Sequence, residues 1–127
     1  VRDMRKIEPV RIFELFKQIS EIPRCTGDEE AIGAYIVDFA KNLGLEATQD
    51  DIGNVIIKKQ GSAGYESAAT IILQAHMDML CIKAQQSKHD FSTDPLNISV
   101  SGDLLIAKDT ALGSDNGIAI AFYLALL

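Results

Sequence analysis

What this chain lacks narrows its roles. No apolar stretch approaches the ~18 residues from which a membrane-spanning helix is read, and the charged opening, Val1 to Glu8, has none of the pattern of a secretory signal. Basic residues are in the minority, 12 Lys and Arg against 18 Asp and Glu for a net charge of -6. Nucleic acid and anionic membrane surfaces both require a basic face, so neither is the expected partner; small solutes and metal cations suit the charge better. Cysteine is scarce as well. Cys25 and Cys81 lie far apart and form no CxxC pair, which suggests a reducing, cytoplasmic setting more than a disulfide scaffold. Internal repeats and low-complexity tracts are missing. What remains is an ordinary globular composition, 47% hydrophobic and 24% charged over 127 residues, near the size of one domain.

The elements that can be read run from helices to hairpins. Pro9 suits a first helical turn, and Ile12, Phe13, Phe16 and Ile19 form one apolar face before Pro23 stops the helix. Thr26-Gly27-Asp28-Glu29 has the form of a capping box for a second helix, whose stripe is Ile32, Tyr35, Ile36, Phe39 and Leu43 and whose stop is Gly44. Both helices read as cover for a sheet. Leu45 to Gln49 and Val55 to Lys59 form a hairpin around Asp50-Asp51-Ile52-Gly53-Asn54. Asn97 to Ser101 and Leu104 to Ala107 form another around Gly102-Asp103. Between the two hairpins, Thr70 to Ala75 reads as a buried strand, and Met79 to Leu96 as a long irregular loop of the kind that often carries function.

The buried strand ends in chemistry. Thr70-Ile71-Ile72-Leu73-Gln74-Ala75 runs directly into His76-Met77-Asp78, and in open α/β sheets the ligand crevice lies beyond the carboxyl ends of the strands. Alternation sends His76 and Asp78 to one side and Met77 to the other. A third candidate, Asp115, sits in Gly113-Ser114-Asp115-Asn116-Gly117 before Ile118 to Leu127, an apolar helical run. Taken alone, Asp115 reads more simply as a helix N-cap, His76 as a histidine at a strand end, and Asp78 as a turn carboxylate. Together they form a more specific pattern, that of a metal site. The final run is apolar on every side, so it needs burial on every side. With few elements here to surround it, the chain is expected to be the front part of a longer protein.

These motifs resemble those of the co-catalytic zinc exopeptidases and deacylases, in the aminoacyl-histidine (Xaa-His) dipeptidase branch. Leu73-Gln74-Ala75-His76-Met77-Asp78-Met79 is similar to the family's first metal motif, and Thr110-Ala111-Leu112-Gly113-Ser114-Asp115-Asn116-Gly117 to its second. His89-Asp90-Phe91 with Asp94-Pro95 resembles a stretch of that branch, and Ile22-Pro23 with Glu29-Glu30, and Gly53-Asn54 before a strand, agree with it. Lys108-Asp109 departs from it where Arg-Gly is expected, as does Ser114 in place of alanine.

The resemblance implies an α/β fold, with residues 1–127 as the N-terminal part of a metallopeptidase catalytic domain built on a mixed sheet flanked by helices. It makes His76 a metal ligand, Asp115 a carboxylate bridging two zinc ions, and Asp78 the catalytic-site residue that orients His76. Cobalt or manganese could take the same ligands. His89 becomes a candidate substrate contact. The implied reaction is metal-dependent hydrolysis of dipeptides, Xaa-His among them, by an enzyme that pairs as a homodimer through a domain not included here. No Glu follows Glu66, so the family's general-base glutamate and further ligands are not in this chain, which alone is expected to be inactive. A deacylase or aminoacylase of the same family, and a non-catalytic binding or assembly module, are the alternatives.

Overall fold

The computed structural model describes residues 7–127; Val1 to Lys6, most of the charged opening, lie outside them. Pro9 borders the first helix, as its fixed φ and missing N–H favour, and α1 spans Val10–Ser20. Phe16 and Ile19 of the expected face are fully buried, together with Leu15, while Ile12 and Phe13 are half-buried. The second helix, α2, spans Glu30–Asn42 and buries Ile32, Ile36 and Ala40. Its exit is set by Gly44 at φ +75, where a side chain would be strained. The Gly44 N–H donates to Lys41 C=O at 2.9 Å and the Leu45 N–H to Ala40 C=O at 3.0 Å, which satisfies carbonyls that the helix leaves free.

Both expected hairpins form. β1 (Glu46–Gln49) pairs antiparallel with β2 (Val55–Lys58), Ala47 opposite Ile57. The turn between them is built by one side chain: Asp50 Oδ1 accepts from the N–H groups of Ile52 and Asn54, and Asp50 Oδ2 from Asn54 Nδ2. β3 (Ile98–Ser101) pairs antiparallel with β4 (Leu104–Ala107) around Gly102. The third helix, α3, spans Ser114–Leu126.

The layers are these: α2 covers the β1/β2 hairpin, and α1 packs on α3 rather than on a sheet. The contact of α1 with α3 is close because Gly117 has no side chain; a Cβ there would meet the Phe16 ring at 3.2 Å. Leu15, Phe16, Ile19, Ile32, Ile120, Ala121 and Leu124 belong to one core cluster. Each large side chain fully buried in it contributes roughly 1.5–3 kcal/mol.

Three expectations need correction. Thr70 to Ala75 is not a buried strand among the described residues: it has no ladder partner, and Ile71 and Ile72 are more than four-fifths exposed. A strand is defined by its neighbours' hydrogen bonds, and among the described residues this run meets none. The α/β class holds, but the sheets are two separate two-stranded antiparallel pairs. By contrast, α3 agrees with expectation: with few elements here to surround it, it buries one face and leaves Phe122 and Leu126 exposed among the described residues.

The third correction concerns cysteine. Cys25 and Cys81, whose spacing suggests a reducing setting more than a disulfide scaffold, are joined in a disulfide with Cα atoms 5.6 Å apart. Linear separation conceals their meeting: Cys25 lies in a parallel bridge with Met79, and the Met79 N–H donates to Arg24 C=O at 2.9 Å. At position 109, where the family resemblance anticipates glycine, Asp109 takes φ +59. Asp is one of the few residues that enters this left-handed region with modest strain.

Replacing Cys81 by Ser should lower stability by roughly 2–4 kcal/mol, as expected for opening a covalently closed loop, read as a fall in the urea midpoint. Before reduction, the denatured protein should show no thiol reactive with Ellman's reagent; two reactive thiols would rule out the cross-link.

Candidate functional site

Alternation beyond residue 74 proceeds as the sequence implies. Ala75 and Met77 pack against the core and Met79 is buried, so His76 and Asp78 project from the opposite side. The two meet at once: His76 Nδ1 lies 2.9 Å from Asp78 Oδ1 and 3.1 Å from the Asp78 carbonyl oxygen. Both partners are acceptors, so Nδ1 carries the proton and donates. The neutral ring then has an unshared lone pair on Nε2.

That lone pair faces Asp115. His76 Nε2 stands 3.1 Å from Asp115 Oδ1, although the residues are 39 apart in sequence. The N-cap reading of Asp115 does not hold, because its Oδ1 is turned to His76 and no helix N–H donates to its side chain among the described residues. Asp115 is instead held outside helical geometry, at φ -97 and ψ 99, and the peptide bond that follows it is cis. A neutral imidazole nitrogen and a carboxylate oxygen are both acceptors, and their approach is favourable only with a proton or a cation between them.

The electrostatics follow from the contacts. Desolvation opposes charging of His76, but hydrogen bonds to Asp115 and then Asp78 outweigh it, and the pKa rises above its usual 6.5. Asp78 is held below the ordinary carboxylate range, first by the Thr26 hydroxyl, against an opposing effect of burial, and then by His76. The Thr26 hydroxyl donates to Asp78 Oδ2 at 2.5 Å. This corrects half of the expected capping box: Glu29 Oε1 does reach back, to the Gly27 N–H at 2.7 Å, but Thr26 serves the site rather than the helix. Thr26 precedes α2 by a full turn of chain, too far to cap its first amides.

His76 and Asp78 line an open cleft of about 980 Å³ between the α2 entrance and the β1/β2 turn. Its rim carries Asp28, Glu29, Glu30, Asp50 and Asp51, a strongly negative surround for a single imidazole. The side chains of His76 and Asp115 are 49% and 91% exposed; His76 lines the cleft, and Asp115 stands against its ring from outside the cleft lining.

The expected residues do not all converge. His76, Asp78 and Asp115 come together, whereas His89 does not line this cleft; its ring sits edge-on to Phe91, with centroids 4.6 Å apart. Among the described residues no three His, Cys, Asp or Glu side chains gather around one point. Sequence reading missed Arg24, buried at 1% exposure behind the site. Its Nη1 donates to the carbonyls of Met77 at 3.1 Å and Asp78 at 3.4 Å, and its Nη2 to Gly113 C=O at 2.6 Å. An arginine following Pro23 carries no local signal for such a role, since all three acceptors are distant in sequence.

In the metal-free protein, changing Asp115 to Asn should lower the His76 pKa, measured by NMR titration. A raised folded pKa means that the charged pair's stabilisation is complete below about pH 6.5 and is lost as pH rises through the folded value. The stability gap between wild type and variant should therefore close with rising pH. Identical His76 titrations in both proteins would show that the two groups are uncoupled.

No protein-family profile matches the chain. The cytosol non-specific dipeptidase of Escherichia coli is 37% identical over 125 residues, 98% of this chain and 26% of that protein. A putative [LysW]-lysine/[LysW]-ornithine hydrolase of Pyrococcus furiosus is 37% identical over 65 residues, 51% of this chain and 18% of its own length. The crystal structure of aminoacylhistidine dipeptidase from Vibrio alginolyticus superposes with a TM-score of 0.95 at 38% identity, covering 98% of this chain and 26% of that one. Over nearly its whole length the chain is thus a homologue of these two dipeptidases, and it spans about a quarter of theirs.

Proposed function

We propose that the protein acts as a metal-dependent hydrolase of dipeptides, Xaa-His dipeptides included, with His76 and Asp115 as cation ligands and Asp78 as the residue that orients His76. The observation that carries this reading is the approach of two acceptors, His76 Nε2 and Asp115 Oδ1, at 3.1 Å. Zinc bonds to imidazole nitrogen and carboxylate oxygen at about 2.0–2.2 Å, so ligands at neighbouring corners of a tetrahedron lie roughly 3.3 Å apart. The donor set therefore fits zinc in chemistry and in spacing. Cobalt and manganese accept the same donors.

The chain's own residues have distinct tasks on this reading. Asp78 accepts the Nδ1 proton of His76, which fixes the tautomer and makes Nε2 the better donor of electrons. Thr26 keeps Asp78 ionised and in place. Asp115 has a second oxygen and high exposure, which suits a carboxylate shared between two ions. The acidic rim of the cleft draws in cations, including the ammonium end of a dipeptide. A bound pair of zinc ions supplies Lewis acidity toward the scissile carbonyl and a water of lowered pKa. Each zinc needs three or more protein ligands, more than two side chains provide. On this reading residues 1–127 are inactive alone, and the general base and other ligands come from elsewhere in the working enzyme.

A deacylase activity of the same type is the second reading, favoured by the similarity to the [LysW]-lysine/[LysW]-ornithine hydrolase over half of the chain. At full natural length, the wild-type protein should bind zinc and hydrolyse Xaa-His dipeptides faster than N-acyl amino acids, and His76→Ala should do neither. Undiminished zinc stoichiometry in His76→Ala would overturn the ligand assignment. Faster turnover of the N-acyl compounds would select the deacylase.

A further inference from the structure

The segments that carry His76 and Asp115 are joined further along by the antiparallel bridge of Lys83 with Thr110 and by the Ala111 N–H donating to Ile82 C=O. Residues 76–78 and 113–115 share no ladder among the described residues, and there the side chains of His76 and Asp115 meet at hydrogen-bond distance. One side chain bonds to both segments. The forked guanidinium of Arg24 reaches the carbonyls of Met77 and Asp78, the two residues after His76, with one nitrogen, and with the other the carbonyl of Gly113, two residues before Asp115. Its own carbonyl accepts from the Met79 N–H, so backbone and side chain hold the first segment together.

The space for this fork is made by glycine. A Cβ at Gly113 or at Gly117 would lie 2.6 Å from Arg24 Nη2, so the guanidinium would have to shift to admit one. Two glycines of the Gly113-Ser114-Asp115-Asn116-Gly117 motif thus form a cradle for the guanidinium. The group is almost fully buried, and among the described residues its Nε has no hydrogen-bond partner. Burying a cation on neutral carbonyls costs stability that an apolar side chain would not. A planar fork can join two chain segments at a set separation, whereas the single ammonium of lysine cannot.

We propose that Arg24 is a positioning residue for the His76/Asp115 pair, its fork setting the distance between the two candidate metal ligands. The inference rests on the metal-binding reading of that pair, and the test separates the two. Arg24→Lys, Gly117→Ala and His76→Ala are compared with wild type at full natural length. Zinc affinity is read by chelator competition, the visible spectrum is recorded on the cobalt form, and the NOE between the His76 ring and the Asp115 β-protons is measured without metal.

Arg24→Lys should keep its secondary structure, lose the NOE, alter the cobalt spectrum and weaken zinc binding by roughly 10–100-fold, as loss of support around a metal ligand does. A folded Arg24→Lys protein that retains either the NOE or wild-type zinc affinity overturns the proposal. If Arg24→Lys does not fold, Gly117→Ala decides, because its methyl intrudes on Nη2 while the arginine remains: weakened zinc binding supports the clamp and wild-type affinity overturns it. Equal zinc binding by wild type and His76→Ala removes the metal reading. In that case the NOE alone decides whether Arg24 sets the pair.

Discussion

A guanidinium taken out of water must be given acceptors, and in this protein the acceptors of Arg24 are backbone carbonyls of two segments whose backbones pair only further along, at the bridge of Lys83 with Thr110, among the described residues. Desolvation pulls its pKa down to about 10, with Asp78 acting in the opposite direction, so the group stays charged at neutral pH. Much of the local architecture serves that requirement. The turn between α1 and α2 is tied to residues 77–81 by the bridge of Cys25 with Met79, by the disulfide, and by Thr26 on Asp78. Gly113 and Gly117 leave the opening through which α3 approaches. The site is therefore organised from the helix-to-helix turn, although its most visible residues lie elsewhere.

Within that frame His76 stands between two carboxylates with different tasks. Asp78 is a quarter exposed and engages both His76 and Thr26, which makes it a fixed support. Asp115 has a side chain 91% exposed and faces the ring nitrogen that Asp78 leaves unprotonated. The asymmetry matters physically. A supported carboxylate controls the tautomer, while an exposed one facing a lone pair offers a place for a positive charge. The acidic rim of the cleft acts in the same direction.

The segment before His76 shows how far apart pattern and pairing can be. Ile71, Ile72 and Leu73 have the composition of a strand covered on both faces, yet they are exposed. Apolar composition reports a tendency to be covered, whereas a strand exists only where neighbouring backbones accept its hydrogen bonds. The two hairpins need no such distant partner, because each is closed by its own turn: Asp50 and Asn54 in one, Gly102 in the other. That difference explains why the hairpins were legible and the strand was not.

Local chemistry made much of this chain readable in one dimension. Pro9, Gly44 and Asp50 mark boundaries through φ restriction, positive φ and an Asx turn, effects that act within a few residues. His76 and Asp78 were readable as a pair because strand alternation alone places them together. Contacts across dozens of residues were not. The joining of Cys25 to Cys81, the diversion of Thr26 from cap to site, and the clamp of Arg24 depend on where the turn after α1 settles in space. Asp115 stands between the two cases. Its motif was visible in sequence, but only the tertiary structure could bring its oxygen to 3.1 Å from His76, because that distance is set by how separate segments pack and by no rule of local spacing.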